Sequence, residues 1–447
     1  MTWLTLSDIA AMTQGRLVGD DVAIERVERD SRQAQAGDLF LALAGERFDA
    51  HDFVPQIVGK ASAALVSRPI EAAIPQVVVD DVRLALGRLA AAWRQTYTHP
   101  VIGLTGSNGK TTLKEMLTAI LSVQGQTLAT IGNLNNDIGM PLTLLRLRAT
   151  DAYAVIEMGS NHFGEIHYLT QIAKPTVAIL NNAGAAHLEH FGDIAGVARE
   201  KGDIFQGLSA DGIAIINADD AYADYWRGLN TSRPVLSFGF SPTADVRGSI
   251  NANNELLIHY QGQSLAVQLK LLGQHNQLNA LAASAGALAL GLDLPTIKQG
   301  LETLQSVKGR LNPKQGLHGG LVIDDTYNAN PTSTAAAVNV LAGLKGQRVM
   351  VLGDMGELGN NEAELHQAIG TQAAQLGIEQ FYSLGKLSRY ASQAFGEQAQ
   401  AFQDIDALIS ALTANLTTDC QVLVKGSRSA RMERVVEALL TTHKEAA

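Results

Sequence analysis

The feature that most constrains this chain is the order strand, GSNGKTT, helix across residues 101–125. VIGLTG (101–106) is an apolar run closed by glycine, and TTLKEMLTAILSVQG (111–125) carries apolar residues at helical spacing. A glycine-rich turn between a buried strand and a helix lets backbone N–H groups and the positive helix end approach an anion. Gly106, Ser107, Asn108, Gly109, Lys110, Thr111 and Thr112 therefore form a candidate phosphate loop. Lys110 would reach the β- and γ-phosphates of a nucleotide, and the Thr111 hydroxyl would ligate Mg²⁺. The standard pattern places its leading glycine at residue 104, where this chain has Leu104, so the loop is a variant.

The rest of the chain repeats the strand–helix theme. YAVIEMG (153–159), TVAILNN (176–182) and GIAIINAD (212–219) read as buried strands separated by helical segments. Residues 233–270 alternate over short runs and suggest an antiparallel patch, and LNALAASAGALALGL (278–292) reads as a small-residue helix. A third block repeats the alternation in GLVIDDTY (320–327), QRVMVLGDMGELG (347–359), QFYSLGK (380–386) and CQVLVKGSRSARME (420–433). A first block holds a helix with Ser7 as its expected N-cap, then DLFLAL (38–43), a polar loop at 45–53, AALVS (63–67) and QVVVD (76–80). The expected fold is α/β in three domains, 1–82, 83–311 and 312–447: a small α/β unit, a central mostly parallel sheet of P-loop type, and a Rossmann-like C-terminal unit.

Composition narrows the function classes. With 447 residues and 46% hydrophobic residues the chain can build several cores. Its 34 cationic against 44 acidic residues give −10, which argues against a nucleic-acid partner. The single cysteine, Cys420, excludes an internal disulfide and reads as a buried strand residue. MTWLTLSDIAAM makes a poor signal peptide, and the longest apolar stretch falls short of the ~20 residues that a membrane span needs. A cytoplasmic protein without membrane insertion is expected, acting as a monomer.

Ligands of open α/β sheets bind beyond the carboxyl ends of the strands. Glu157 ends one strand there and suits a nucleotide-bound Mg²⁺. His187, in the loop AGAAHLEHFG, is either a second metal ligand or a substrate contact, and Lys201 sits on the next helix. Each residue alone is as readily a solvated loop or surface group. Together they describe a Mg-nucleotide enzyme of phosphoryl transfer or hydrolysis. A switch or motor ATPase stays open at this level. GDMGELG has the spacing G-x-x-G-x-x-G, not that of a dinucleotide fingerprint, and reads as a strand-to-helix turn.

GSNGKTT, NLNNDIGMPLTLL (133–145), EMGSNHFGEI (157–166), NNAGAAHLEHFG (181–192), EKGDIF (200–205) and GQHNQLNALAA (273–283) together resemble the Mur ligases, along essentially the whole chain. These enzymes make amide bonds on the cytoplasmic precursor of bacterial peptidoglycan. DSRQAQAGDLFLALAGERFDAHDF (30–53), DDTYNANPTS (324–333) and VLGDMGELG (351–359) with KGSRSARME (425–433) look like the last ligase of the series. That member adds D-Ala-D-Ala to UDP-MurNAc-tripeptide. The Asp-Asn-Pro-Arg run of the preceding ligase is absent, although that activity stays the near alternative.

The resemblance implies ATP and Mg²⁺ as cofactors and an acyl-phosphate route. It makes Lys110, Glu157, His187 and Lys201 catalytic. Thr111 and Glu157 would hold one Mg²⁺ and His187 a second, with Lys201 carbamylated as in several members. Asn276 and Asn279 would contact adenine, and Arg310, Asp325, Tyr327 and Asn330 would close over the nucleotide. Ser31, Arg32, Asp49 and His51 would line a UDP-sugar pocket in the first domain. Arg428 would clamp the dipeptide carboxylate. Closure of the three domains on ligand follows.

Overall fold

The strand Val101–Thr105 is fully buried and lies inside a nine-stranded sheet. On one side it pairs in parallel with Tyr153–Glu157, and on the other with Val177–Leu180. The chain thus leaves this strand for one neighbour and later returns for the other, which makes its carboxyl end the point where the strand order reverses. The protein is described here by a computed structural model over residues 3–45, 48–304 and 306–440.

The loop helix, Lys110–Ser122, buries Leu113, Met116, Leu117, Ile120 and Leu121 against the sheet. Burial of each such side chain is worth about 1.5–3 kcal/mol. The small-residue helix Gln274–Ala289 lies beside it, and Gly286 comes so near that a Cβ would meet Ile179 Cδ1 at 2.9 Å. Alanines and glycines in that helix therefore set how closely it approaches the phosphate-loop helix. Beyond Ile213–Asn217 the patch at 233–270 is only partly as expected. Val235–Gly239 and Val246–Ile250 continue the parallel order, and only Leu256–Tyr260 and Gln263–Val267 run antiparallel. The first of these runs, buried at Ser237, Phe238 and Gly239, is an interior strand, which alternation alone does not reveal.

The third unit is a six-stranded sheet. The strands Leu321–Asp325, Cys420–Lys425, Gln347–Gly353, Gln380–Leu384 and Ala399–Phe402 are parallel, with Asn312–Gln315 antiparallel at one edge. Cys420 is buried in its strand, as expected. The first unit is a five-stranded sheet, parallel except for Arg16–Val18. Its opening helix, Leu6–Thr13, is capped by Thr5, whose hydroxyl accepts from Asp8 N–H while Asp8 reaches back. The expected cap, Ser7, lies inside the helix, with its hydroxyl donating to Asp21 Oδ2. Serine and threonine compete as caps, and the capping box with Asp8 decides for Thr5.

The helix Val82–Gln95, capped by Asp81, packs between the first helix and the middle domain. Its apolar face joins the first unit and one face of the central sheet in a single core. The boundary proposed at residue 82 falls at its start. Met1, Thr2, Glu46, Arg47, Gln305 and residues 441–447 are outside the described residues, and with them parts of the N-terminal run, of the polar loop at 45–53 and of the C-terminal domain. Among the described residues no helix is long and apolar enough to cross a membrane.

Candidate active site

Leu104 explains the variant loop. It is a fully buried strand residue in register with Glu157, so the strand continues through the position where a longer loop would turn. The turn spans only the residues between Thr105 and Lys110. Gly109 caps the helix with φ +80°, and a Cβ there would meet Asn279 Oδ1 at 2.4 Å. Glycine is needed at that position for both reasons. Lys110 Nζ donates to Gly106 O at 2.7 Å, so the ammonium holds the loop that it serves. Burial pulls its pKa down, with Arg310 adding to the effect and Glu157 opposing it.

Glu157 is buried at its strand's end. Its Oε1 accepts from Asn135 Nδ2 at 2.7 Å and lies 3.4 Å from Thr111 Oγ1, while its Oε2 is buried with no partner. A buried carboxylate oxygen without a partner, beside a hydroxyl at the mouth of a phosphate loop, fits a hard divalent cation. Among the described residues no cluster of three or more His, Cys, Asp or Glu surrounds it. Any Mg²⁺ here would take most of its ligands from phosphates and water, as Mg²⁺ usually does.

Lys201 is buried on Ile194–Gly202, donates to Ser160 Oγ at 2.7 Å, and lies over the Phe191 ring. Burial first, then the nearby Lys110 charge, pulls its pKa down to about 7. Ser160, Glu157, Lys110 and His187 all line one cleft of about 800 Å³. His187 has φ +53° and caps the short helix Leu188–Phe191. Its Nδ1 touches Glu357 Oε2 from the third domain. The two groups are in direct contact without hydrogen-bond geometry. His187 first, against burial, holds the Glu357 carboxyl below its ordinary range.

The third domain closes over the loop at several points. Arg310 stacks on Tyr327 and donates to Thr111 Oγ1 at 3.1 Å. Asn330 caps the helix Pro331–Ala342 with its Oδ1 and donates from Nδ2 to Asn108 Oδ1 at 2.8 Å. Asp325 pairs with Lys425 at 2.6 Å and accepts from Leu311 N–H. Asn108 Nδ2 remains a buried donor without a partner at the cleft. Asn276 and Asn279 line the same cleft, but their amides are engaged with each other, Leu272 O and Asn181 beneath Gly109. These contacts brace the turn under Gly109.

The four first-domain residues sit apart from this cleft. Asp49 caps a 3₁₀ helix, Ala50–Ile57, and binds His51 and Arg68. Its carboxyl is held low, chiefly by the His51 N–H. His51 is buried, with Nδ1 on Asp49 and Nε2 accepting from Ser67 N–H at 2.8 Å. Both ring nitrogens are thus engaged inside the domain. Ser31 and Arg32 lie in a turn where Arg32, mostly exposed, pairs with Asp30. None of these four lines the cleft, whereas Arg29 does. Arg428 is exposed, pairs with Glu433, and is also outside the cleft. Lys425, three positions earlier in the same motif, takes the place in the cleft. Asn135, Ser160, His275, Lys425 and Glu357 were missed as site residues. All five stand within motifs quoted from the sequence, where a tertiary partner, and not spacing, gives them a task.

Comparison with known proteins completes the picture. Residues 104–287 match the Mur ligase middle domain and residues 309–428 the Mur ligase glutamate ligase domain. The chain belongs to the Mur ligase family. This Mur ligase is 47% identical to the UDP-N-acetylmuramoyl-tripeptide--D-alanyl-D-alanine ligase of Escherichia coli (strain K12), covering 98% of its own length and 99% of the relative's. It superposes on a crystal structure of MurF from Acinetobacter baumannii with a TM-score of 0.92 and 42% identity, covering 97% and 98% of the two chains. A MurF ligase from Thermotoga maritima in complex with ADP matches with a TM-score of 0.83 and 28% identity, covering 93% and 96%. The three-domain α/β architecture expected for this Mur ligase is therefore shared with solved members of its family.

Proposed function

We infer that this Mur ligase is of the MurF type, joining D-alanyl-D-alanine to UDP-N-acetylmuramoyl-tripeptide at the expense of ATP in peptidoglycan precursor synthesis. One observation carries the reading from geometry: Arg29, the phosphate loop and third-domain residues meet in one cleft. A bare ATPase needs no third wall. The reading includes action as a monomer in the cytoplasm, where the precursor is made.

A carboxylate is a poor electrophile, so it must be activated. The tripeptide's terminal carboxylate attacks the γ-phosphorus of ATP, the bond to ADP breaks, and an acyl phosphate forms. The dipeptide amine then adds to the acyl carbon, phosphate leaves with the bonding pair, and the amine proton is released. Lys110 and the loop N–H groups offset charge on the transferring phosphoryl group. Asn108 Nδ2, unpartnered and buried, is an available donor to it. Thr111 and Glu157 would hold Mg²⁺, which supplies Lewis-acid neutralisation of the phosphates. His187 would serve the acyl-phosphate side. The Lys201 amine, with a pKa near 7, is neutral often enough to add CO₂ and lose a proton, giving an anionic carbamate.

The purified chain with ATP and Mg²⁺ is offered UDP-MurNAc-tripeptide with and without D-Ala-D-Ala. Phosphate release requiring both substrates is expected. Release indifferent to both would overturn the ligase reading, and release requiring a free amino acid would point to the preceding ligase.

A further inference from the structure

The only third-domain carboxylate touching His187 among the described residues is Glu357. We propose that Glu357 is a positioning residue for His187, completing the acceptor side of the site only when the third domain docks. This rests on the reading of His187 given above.

The loop carrying Glu357 is built to present it. Asp354, at its base, accepts from the N–H groups of Leu387 and Ser388 at 3.0 and 2.7 Å and of Lys386 at 3.1 Å. The Asp354 carbonyl accepts from Ser427 N–H at 2.9 Å. Met355 N–H donates to His366 Nε2 at 3.0 Å, and the Met355 and Leu358 side chains are buried. Glu357 is thus tethered on both sides, at φ +60°, a conformation that side chains rarely adopt. Gly359 then packs within 4 Å of the Glu189 backbone if given a Cβ, so the loop and the His187 loop fit against each other.

His187, also at positive φ, meets this carboxylate with Nδ1. A carboxylate held against this edge of the imidazole fixes which way the ring faces. An ordinary surface ion pair would contribute little and need no such support. Here the Glu357 side chain is half exposed but that of His187 is only 22% exposed, and the loop is pinned on a different sheet from the one that carries His187. Docking of the third domain and orientation of the histidine become one event.

The test compares the full chain with His187→Ala, Glu357→Ala, Glu357→Gln and the double alanine variant. Glu357→Ala is expected to lower kcat 10–100-fold, the usual cost of removing a partner behind a ligand, with KM for ATP within about twofold. Added to His187→Ala it should cost nothing more. Glu357→Gln, which keeps the shape without the charge, should follow Glu357→Ala. Without turnover, Mn²⁺ binding to the complex with a non-hydrolysable ATP analogue should weaken in both single variants. Amide exchange across 354–359 should quicken in His187→Ala. Independent, multiplying losses in the double variant, or unchanged Mn²⁺ binding and exchange, overturn the inference while leaving the reading of His187 intact. A silent His187→Ala removes both.

Discussion

Thr111 and Glu157 face each other at the carboxyl edge of the central sheet, hydroxyl to carboxylate oxygen 3.4 Å, and the second carboxylate oxygen is buried with no partner. Glu157→Gln keeps an acceptor for Asn135 but removes the charge. It is expected to cost about 10²–10³ in kcat with an unchanged Tm. Glu157→Ala should lose activity similarly and also about 1–3 kcal/mol of stability, because the Asn135 amide is left unpaired. Steady-state kinetics and thermal unfolding check both.

Lys201 gives a pH signature. Burial brings its pKa to about 7 from 10.5, so between those values the unfolded chain binds more protons than the folded one. Stability from this group therefore rises with pH across that window. In CO₂-free buffer, Lys201→Met should be more stable than the parent at pH 7 and lose most of that advantage towards pH 10.5, while turnover is lost throughout. Urea unfolding at three pH values decides it.

Asn330 performs two tasks with one amide, capping a helix and reaching Asn108. Asn330→Asp keeps the cap and turns the donor into an acceptor facing Asn108 Oδ1. KM for ATP should rise several-fold with little change in Tm. Asn330→Ala should show the same KM effect plus about 1 kcal/mol of destabilisation from the lost cap.

Gly109→Ala places a methyl against Asn279 Oδ1 in a left-handed backbone. The expected cost is about 1–3 kcal/mol, with nucleotide affinity reduced because the loop must shift. Calorimetric titration with ADP alongside thermal unfolding checks it. Unaltered ADP binding would mean that the loop does not need this tight turn.

The core of the site was legible because it depends on order along the chain. A strand, a glycine turn and a helix locate Lys110, and strand ends locate Glu157 and His187. Antiparallel or parallel pairing at 233–270 was less so, since the partner strand, and not local alternation, determines burial of Val235–Gly239. The contact of His51 with Ser67 was not legible either, since Ser67 follows a strand sixteen residues further on. Lys425 carried no local mark of its place, because parallel register sets it beside Asp325, while Arg428 turns towards Glu433. Glu357 carries no local mark of its contact with His187, because the two meet only through docking of separate sheets.

The cleft is walled by carboxyl-end loops of two sheets, one bearing Glu157 and the other Asp325. A substrate seated there touches both sheets at once, so each wall's loops depend on the other for a complete surface.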